Sequence, residues 1–394
     1  MAVTTTSPNN AIVKFRKAFW REYRRENLFS PYMGEDVTSI IQILSELKEG
    51  GDQINVPLVG RLRGPGVSSG PLTGNEEKLD SNGVRFWLDW ARNAVLLSKK
   101  ELHKSSFDQL ETVRPLLMEW GKLLLRDEII LALHALPSES PPINLGSESV
   151  SSFGTYSAAG QRINGTPYPQ ATAAQKNTWH TANADRVQYG NAVANYVGGS
   201  HAASLANVSA GTGRLTAAGL LLMKRRARKA DPAIKPYMVK KGGAQEYFVV
   251  FAGSNAFRDL SNDTVIISAN TNARAREGNG MDDNPLFQDG DLLYRGIIIR
   301  EIPELETFCT VVGAGAAGIN VAPVFMLGQN AVAICYGQLW KPTERKEDDY
   351  GFLKGRGVEA AYGLGKVFKR FQDNAALLKD WSVYTAYFAS IDDA

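Results

Sequence analysis

Apolar side chains recur at intervals of three and four near the N-terminus, where Ile12, Phe15, Phe19 and Tyr23 fall on one helical face. Lys14, Lys17, Arg21, Arg24 and Arg25 occupy the other faces. The pattern predicts an amphipathic helix that lays its aromatic stripe on a neighbouring surface and leaves its cations in solvent. The period then changes to two. Ile54, Val56 and Leu58 alternate in residues 52–62, and Val84, Phe86, Leu88 and Trp90 alternate in 84–97, so each stretch predicts a strand. Between them, residues 63–83 hold five glycines and two prolines, which predicts a long hairpin with a polar tip. Pro57 places the first strand at a free edge. Ten residues at about 3.3 Å each make an arm of roughly 30 Å. Trp87, opposite in sense to Phe86 and Leu88, suggests a ribbon with two faces to cover.

A helical period returns in residues 105–136, with Leu110, Val113, Leu117, Trp120, Leu124 and Leu131 on or near one stripe. Ser105 and Asp108 resemble a capping box, and Pro115 should kink the helix or mark its true start. Residues 141–210 read differently, with five charged side chains in seventy positions but Phe153, Tyr156, Tyr168, Trp179, Tyr189 and Tyr196 spread through them. Disordered segments usually carry charge and lack aromatics, so this predicts an ordered, loop-rich insertion with a short helix near 171–187. Further on, residues 214–232 read as a helix ending in Lys224, Arg225, Arg226, Arg228 and Lys229, cations suited to its C-terminal dipole. Residues 246–253 read as a buried strand, 254–274 as helix with loops, 291–305 and 324–340 as strand-rich, and 383–391 as a closing strand.

Composition narrows the picture. Of 394 residues, 22% are charged and 44% hydrophobic, and the net charge is +3, which fits a globular protein and not a wholesale nucleic-acid binder. No run of 18 apolar residues marks a membrane span. The N-terminus "MAVTTTSPNN" lacks the charged and apolar regions of a signal peptide. The sequons at Asn164 and Asn207 therefore carry no weight. Cys309 and Cys335 sit in apolar sequence and are expected to be buried free thiols.

Candidate chemistry is sparse. His103, His134, His180 and His201 show no metal-ligand spacing. Ser200 adjoins His201, but no G-x-S-x-G elbow exists. The carboxylates of "GMDDN" and "QDGD" read as turns, because the calcium-loop spacing is absent. "ERKEDDYG" reads as an ion-pair cluster with Glu347, Asp348 and Asp349. One motif needs a closer test. "TVVGAGAAGIN" contains G-x-G-x-x-G at Gly313, Gly315 and Gly318. A dinucleotide site requires a strand before the glycines, a helix after them and an acid about 20 positions on. Residues 308–312 suit the strand. Ile319, Val321 and Pro323 oppose the helix, and no Asp or Glu follows before Glu344. The glycines are expected to form a turn between two strands.

A long hairpin and an amphipathic arm that one compact domain cannot cover point to contacts between copies. The chain resembles the major capsid proteins of tailed bacteriophages, with the shell-forming fold of the HK-ninety-seven type that is also seen in encapsulins, and more narrowly those of N-four-like podoviruses. The resemblance rests on "LKEGGDQINVPLVGRLRGPG", "PLTGNEEKL", "SFDQ…W…DEI", "NPLFQDGDLLYRGIIIREIP", "LGQNAVAICYGQ", "KEDDYG" and "AAYGLGKVFKRF…KDWSVYTAYF", in that order. It implies an α+β fold with an N-terminal arm at 1–51, an extended hairpin loop at 52–97 and a peripheral domain with a spine helix at 98–140. A loop-rich insertion at 141–204, which the resemblance does not cover, an axial domain at 205–340 and a return to the peripheral domain at 341–394 complete it.

The resemblance also implies a virion protein, assembled in the bacterial cytoplasm, with no catalytic, metal or cofactor residues. Its copies would form the hexamers and pentamers of an icosahedral shell around double-stranded DNA, held non-specifically. Further partners would be a portal, a separate scaffolding protein and a decoration or cement protein, with no membrane. With the first hairpin strand starting near residue 52, no scaffolding segment or cleaved N-terminal piece is expected, so assembly would use a separate scaffolding protein or proceed unaided. The expected inter-subunit contacts are Phe15, Phe19, Arg61, Arg63, Glu76, Glu77, Trp87, Trp90, Glu347, Asp348 and Asp349. Gly50, Gly51, Gly60 and Gly83 would be hinges, and Gly313, Gly315 and Gly318 would form an axial-domain loop. An encapsulin-like compartment, and a nucleotide-binding enzyme resting on Gly313–Gly318, are the alternatives.

Overall fold

The computed structural model describes residues 28–45, 53–60, 62, 64, 66–77, 79, 81–104, 109–142, 162–239, 246–274, 287–288, 291–345, 350, 352–370 and 377–393. The chain divides into two compact units. Among the described residues, one comprises 91–124 and 340–360, and the other 28–90, 125–339 and 361–393.

In the smaller unit, Val113, Leu117 and Val358 form a core with Leu97, Trp120 and Trp340 around them. Val113, Leu117 and Trp120 are the stripe read from the sequence. Trp120 and Trp340 meet edge to face at 6.1 Å, the arrangement that ring quadrupoles favour. The helix Gln109–His134 passes through Pro115 without a break. Ser105 and Asp108 lie outside the described residues.

The larger unit is built on an eight-stranded sheet. Its order is Phe287–Gln288, Asp291–Tyr294, Ile297–Glu301, Glu246–Ala252, Val321–Leu327, Val383–Ala389 and Val187–Tyr189, with Met238–Val239 paired off Glu246–Ala252. Every residue of Val321–Leu327 and of Val383–Ala389 is buried, as strands covered on both faces must be. Side-chain alternation splits them between two cores. Tyr384, Ala386 and Phe388 join the helix Ala217–Lys229, while Tyr387 and Ala389 join Trp179, Tyr189 and Leu205. Of the stretch read as an insertion, Ala171, Trp179, Val187 and Tyr189 therefore belong to the core. Val187–Tyr189 extends the sheet in parallel with Thr385–Tyr387, and the expected short helix is Ala173–Ala182, capped by a Thr172–Gln175 box.

Three sequence expectations change. Residues 84–97 are two strands, not one. Ser81–Trp87 closes the hairpin with Gln53–Val59, and Asp89–Ser98 enters a six-stranded sheet beside Leu353–Lys366. Residues 304–309 form a helix in place of the strand expected at 308–312. Pro303 starts it, Glu304 and Glu306 complement its N-terminal dipole, and Leu305 and Cys309, one turn apart, are buried. The hairpin ribbon is one-sided. Ile54, Val84 and Phe86 are buried with Ala333, Cys335, Val367 and Phe368, whereas Gln53, Asn55 and Arg85 are exposed.

Candidate assembly surfaces

The hairpin is paired in register from Gln53↔Trp87 to Val59↔Ser81. Within its two-stranded sheet Gln53–Val59 pairs with Ser81–Trp87, so Pro57 lies on a strand with a free edge, where proline is tolerated. The base is fastened to the body. Asn164 Oδ1 accepts from Trp87 N at 2.8 Å, and Asn164 Nδ2 donates to Trp87 O at 3.1 Å. A Cβ at Gly363 would collide with the Trp87 carbonyl, so the glycine lets the backbones close up. Asn82 Nδ2 donates to the Arg370 carbonyl at 2.8 Å.

Beneath this base lies a buried ionic knot. Arg162 pairs with Glu128 and donates to the Trp90 carbonyl at 3.0 Å, and the Tyr362 hydroxyl donates to Glu128 Oε2 at 2.6 Å. Burial opposes the Arg162 charge, and Glu128 more than offsets it, so the guanidinium pKa rises. Trp87 and Trp90, both expected contacts, thus come together at the root of the arm. Trp87 is half-buried and Trp90 is exposed.

Beyond Val59 the ribbon loses its ladder, and Val59, Leu62, Leu72 and Leu79 are each more than half exposed. Glu76 and Glu77, expected to reach a neighbour, are exposed and each also bonds within the loop. Glu77 Oε2 accepts from Gly64 N and Glu76 Oε2 from Gly74 N, each at 2.7 Å. Gly60 sits at the end of Gln53–Val59, where a hinge was expected. Gly83, also expected as a hinge, lies within the hairpin. It pairs with Pro57 inside the ladder, and a Cβ there would meet the Asn55 side chain. Phe15, Phe19, Arg61, Arg63, Glu347, Asp348, Asp349, Gly50 and Gly51 lie outside the described residues.

The glycine motif is a closed turn between the helix Glu304–Cys309 and the strand Val321–Leu327. Val311 and Val321 exchange backbone bonds of 2.7 and 3.1 Å across its neck. Gly313 and Gly318 have φ of 67° and 76°. The amides point inward, with Gly313 N donating to Asn320 Oδ1 and Gly315 N to the Ile319 carbonyl. The segment after Gly318 is a strand, so no helix N-terminus faces a pyrophosphate. Val312 is 80% exposed at the tip.

A polar interior escaped the sequence reading. His180 Nε2 lies 2.9 Å from the Val197 carbonyl, which can only accept, so this nitrogen carries the proton. His180 Nδ1 then accepts from the Tyr189 hydroxyl at 2.7 Å. Tyr189 in turn accepts from His201 Nδ1 at 2.7 Å, and His201 Nε2 accepts from Tyr168 at 2.8 Å. All donors run one way, and the histidines are neutral. Burial lowers the His201 pKa to about 3, with His180 and Lys176 adding to it. Burial lowers His134 and His180 too. Deeper still, Lys366 pairs with Asp380 at 3.1 Å, and the Trp179 indole donates to the same Asp380 oxygen at 3.1 Å. The two imidazoles and the Lys366–Asp380 pair are held by these bonds, while Asp380 Oδ1 is buried without a hydrogen-bond partner. The aromatics at 168, 179, 189 and 196 were the available signal; their partner Tyr387, about two hundred positions away, was not.

Among the described residues no group of three or more His, Cys, Asp or Glu side chains is placed to hold a metal ion, and no helix is long and apolar enough to cross a membrane.

The family model for phage capsid protein matches residues 3–391. The major capsid protein of Pseudomonas phage KPP25 is 28% identical over 361 residues, spanning 88% of this chain and 87% of that one. The cyanophage Pam1 capsid subunit superposes with a TM-score of 0.82 at 30% identity, over all of both chains. The capsid protein of Ralstonia phage GP4 shares the fold, with a TM-score of 0.68 at 18% identity over 100% of this chain and 99% of that one. The chain belongs to the phage capsid protein family: it is a tailed-phage major capsid protein, a structural component of the virion and not an enzyme.

Proposed function

We propose that copies of this chain join as hexamers and pentamers into a closed icosahedral shell around double-stranded DNA, assembled in the bacterial cytoplasm. A portal and a separate scaffolding protein complete the assembly, and a decoration or cement protein would bind the finished shell. The observation that carries this reading is the hairpin. Its base is fastened by Asn164 and Gly363, while its tip presents Val59, Leu62, Leu72 and Leu79 to solvent with no core of its own. A two-stranded ribbon is marginal alone in water, so the tip needs a surface, and another copy supplies one. Repeated head-to-tail contacts of that kind close into shells when their rotations close. In this reading residues 52–97 are the extended loop, 98–140 the peripheral domain with its spine helix, and 205–340 the axial domain.

Negative-stain microscopy of the overexpressed chain tests the reading. Uniform closed particles are expected. A population of small oligomers alone, with or without the portal and scaffolding proteins of the same phage, would overturn it.

A further inference from the structure

The helix Ala217–Lys229 packs Ala217, Leu220, Met223 and Ala227 against the eight-stranded sheet. Helical geometry then turns Arg225, Arg228 and Lys229 outward, and all three are exposed. A second element meets this end of the helix. The turn between Asp291–Tyr294 and Ile297–Glu301 consists of Arg295 and Gly296, and Lys224 Nζ donates to the Arg295 carbonyl at 2.5 Å. A Cβ on Gly296 would stand 2.9 Å from Lys224 Nζ and 2.7 Å from the Glu246 carbonyl, so the glycine keeps the two elements close. Arg295 and Gly296 have φ of 46° and 76°, as a two-residue hairpin turn requires. Asparagine or aspartate suits the first of these positions. An arginine there bears a conformational cost, and it adds a guanidinium at the lip of the groove.

The result is an open groove of about 410 Å³ lined by Leu221, Lys224, Arg225, Arg228, Lys229 and Arg295. Glu246 pairs with Arg228 at 2.6 Å. Among the described residues Arg225, Lys229 and Arg295 have no acidic partner. The helix dipole explains cations in the last turn, but Arg295 comes from another element. Five cations less the Glu246 carboxylate leave four net positive charges at one groove, against +3 for the entire chain. The charge is concentrated, not spread.

We propose that this groove is a contact for the phosphate backbone of the enclosed DNA, an inference that rests on the reading that the shell holds DNA. Guanidinium forks and ammonium groups bind phosphate oxygens without reading sequence. The contact is small, so a single subunit grips the duplex weakly, while many copies hold it against the wall. That reconciles a near-neutral chain with a polyanionic cargo.

The test uses the soluble full-length chain and a labelled linear DNA duplex, with binding measured by anisotropy between about 50 and 200 mM salt. The variant Arg225→Gln/Lys229→Gln/Arg295→Gln is compared with Lys99→Gln/Lys100→Gln/Lys104→Gln, which removes equal charge from another helix. Each cation that no longer meets a phosphate should reduce the slope of log affinity against log salt by about 0.9, so the slope of the groove variant should fall by up to about 2.7. The slope of the control should fall by less than about 0.9, the worth of one phosphate. An unchanged slope in the groove variant, or an equal fall in the control, overturns the proposal and points to an acidic protein as the occupant. If the triple variant is insoluble, Arg295→Gln alone carries the test at the effect of one phosphate. Shell formation by the unaltered chain is scored separately by microscopy, so a failure of the shell reading is seen apart from a failure of the groove.

Discussion

Residues 60–79 and residues 162–206 look alike in composition, both being rich in glycine, serine, threonine and asparagine. In the structure they are opposites. The first carries leucines and valines on an open loop, and its two glutamates close its own turns. The second buries Trp179 together with Tyr168, His180, Tyr189 and His201, and the last four form a directed chain of hydrogen bonds under the sheet. What separates them is charge, five charged residues in 20 against four in 45, and aromatic content. Residues 60–79 hold no aromatic, whereas 162–206 place Tyr168, Trp179, Tyr189 and Tyr196 where rings can stack and hydroxyls can bond. A small polar segment that can bury rings joins a core. One that cannot stays outside, and its aliphatic side chains wait for a partner.

The widest gap between the two regions should appear on changing their side chains. Leu62→Ser/Leu72→Ser/Leu79→Ser removes exposed apolar surface, so subunit stability should move by no more than about 0.5 kcal/mol for each change. Shells, however, should be lost. Particle counts by microscopy and melting of the unassembled subunit decide it. Normal shells from this variant would break the contrast, because the tip would then have no apolar task.

The interior should respond in the other sense. Lys366→Met leaves the Asp380 carboxylate buried without its cation, and about 3–5 kcal/mol of subunit stability should go. Adding Asp380→Leu should recover part of that, though the Trp179 indole then loses its acceptor at about 1–3 kcal/mol. Urea unfolding of both variants measures the difference. A single variant within about 1 kcal/mol of the parent would show that water reaches the pair.

The neutral histidine chain sharpens the comparison further. His201 has a folded pKa of about 3 against an ordinary 6.5, so between those values the unfolded chain binds the extra proton. Stability is therefore complete above about pH 6.5 and falls on acidification at about 1.4 kcal/mol per pH unit for each such imidazole. Unfolding at pH 7 and pH 5 should differ by about 2 kcal/mol from His201 alone, before carboxylates titrate. The groups facing it are His180, Lys176 and the hydroxyls of Tyr168 and Tyr189. A stability flat across this range would mean that the ring takes up its proton alike in the folded and unfolded chain.

Legibility in the sequence followed the range of the interactions. The helix 109–134, the paired strands of the hairpin and the helix 217–229 were readable because hydrophobic period and caps are local. The break at Leu88 was not, since nothing in the alternation marks a strand changing sheets. Its cause is Asn164 bonding both backbone groups of Trp87, seventy-seven positions away. The helix 304–309 was missed because "FCTVV" outweighed Pro303 and its acidic first turn. Membership of residues 162–206 in the core depends on Val187–Tyr189 pairing with Val383–Ala389, a contact that only the folded chain creates.

The smallest predicted effect falls on the glycine turn, and it separates shape from binding. Gly318 holds φ of 76° with nothing within 4 Å of a built Cβ. Gly318→Ala should therefore cost only backbone strain, about 1–2 kcal/mol. Gly318→Asn should cost less, because asparagine tolerates the left-handed region. Gly315 has an ordinary φ of −84°, but a Cβ there would press on Ile319 and Val321 at 2.6 and 2.9 Å. Gly315→Ala should cost more than Gly318→Ala, through overpacking at about 1–3 kcal/mol. Thermal unfolding of the three variants gives the order. Were Gly318→Asn to destabilise more than Gly315→Ala, strain and packing would not explain why this turn is made of glycine.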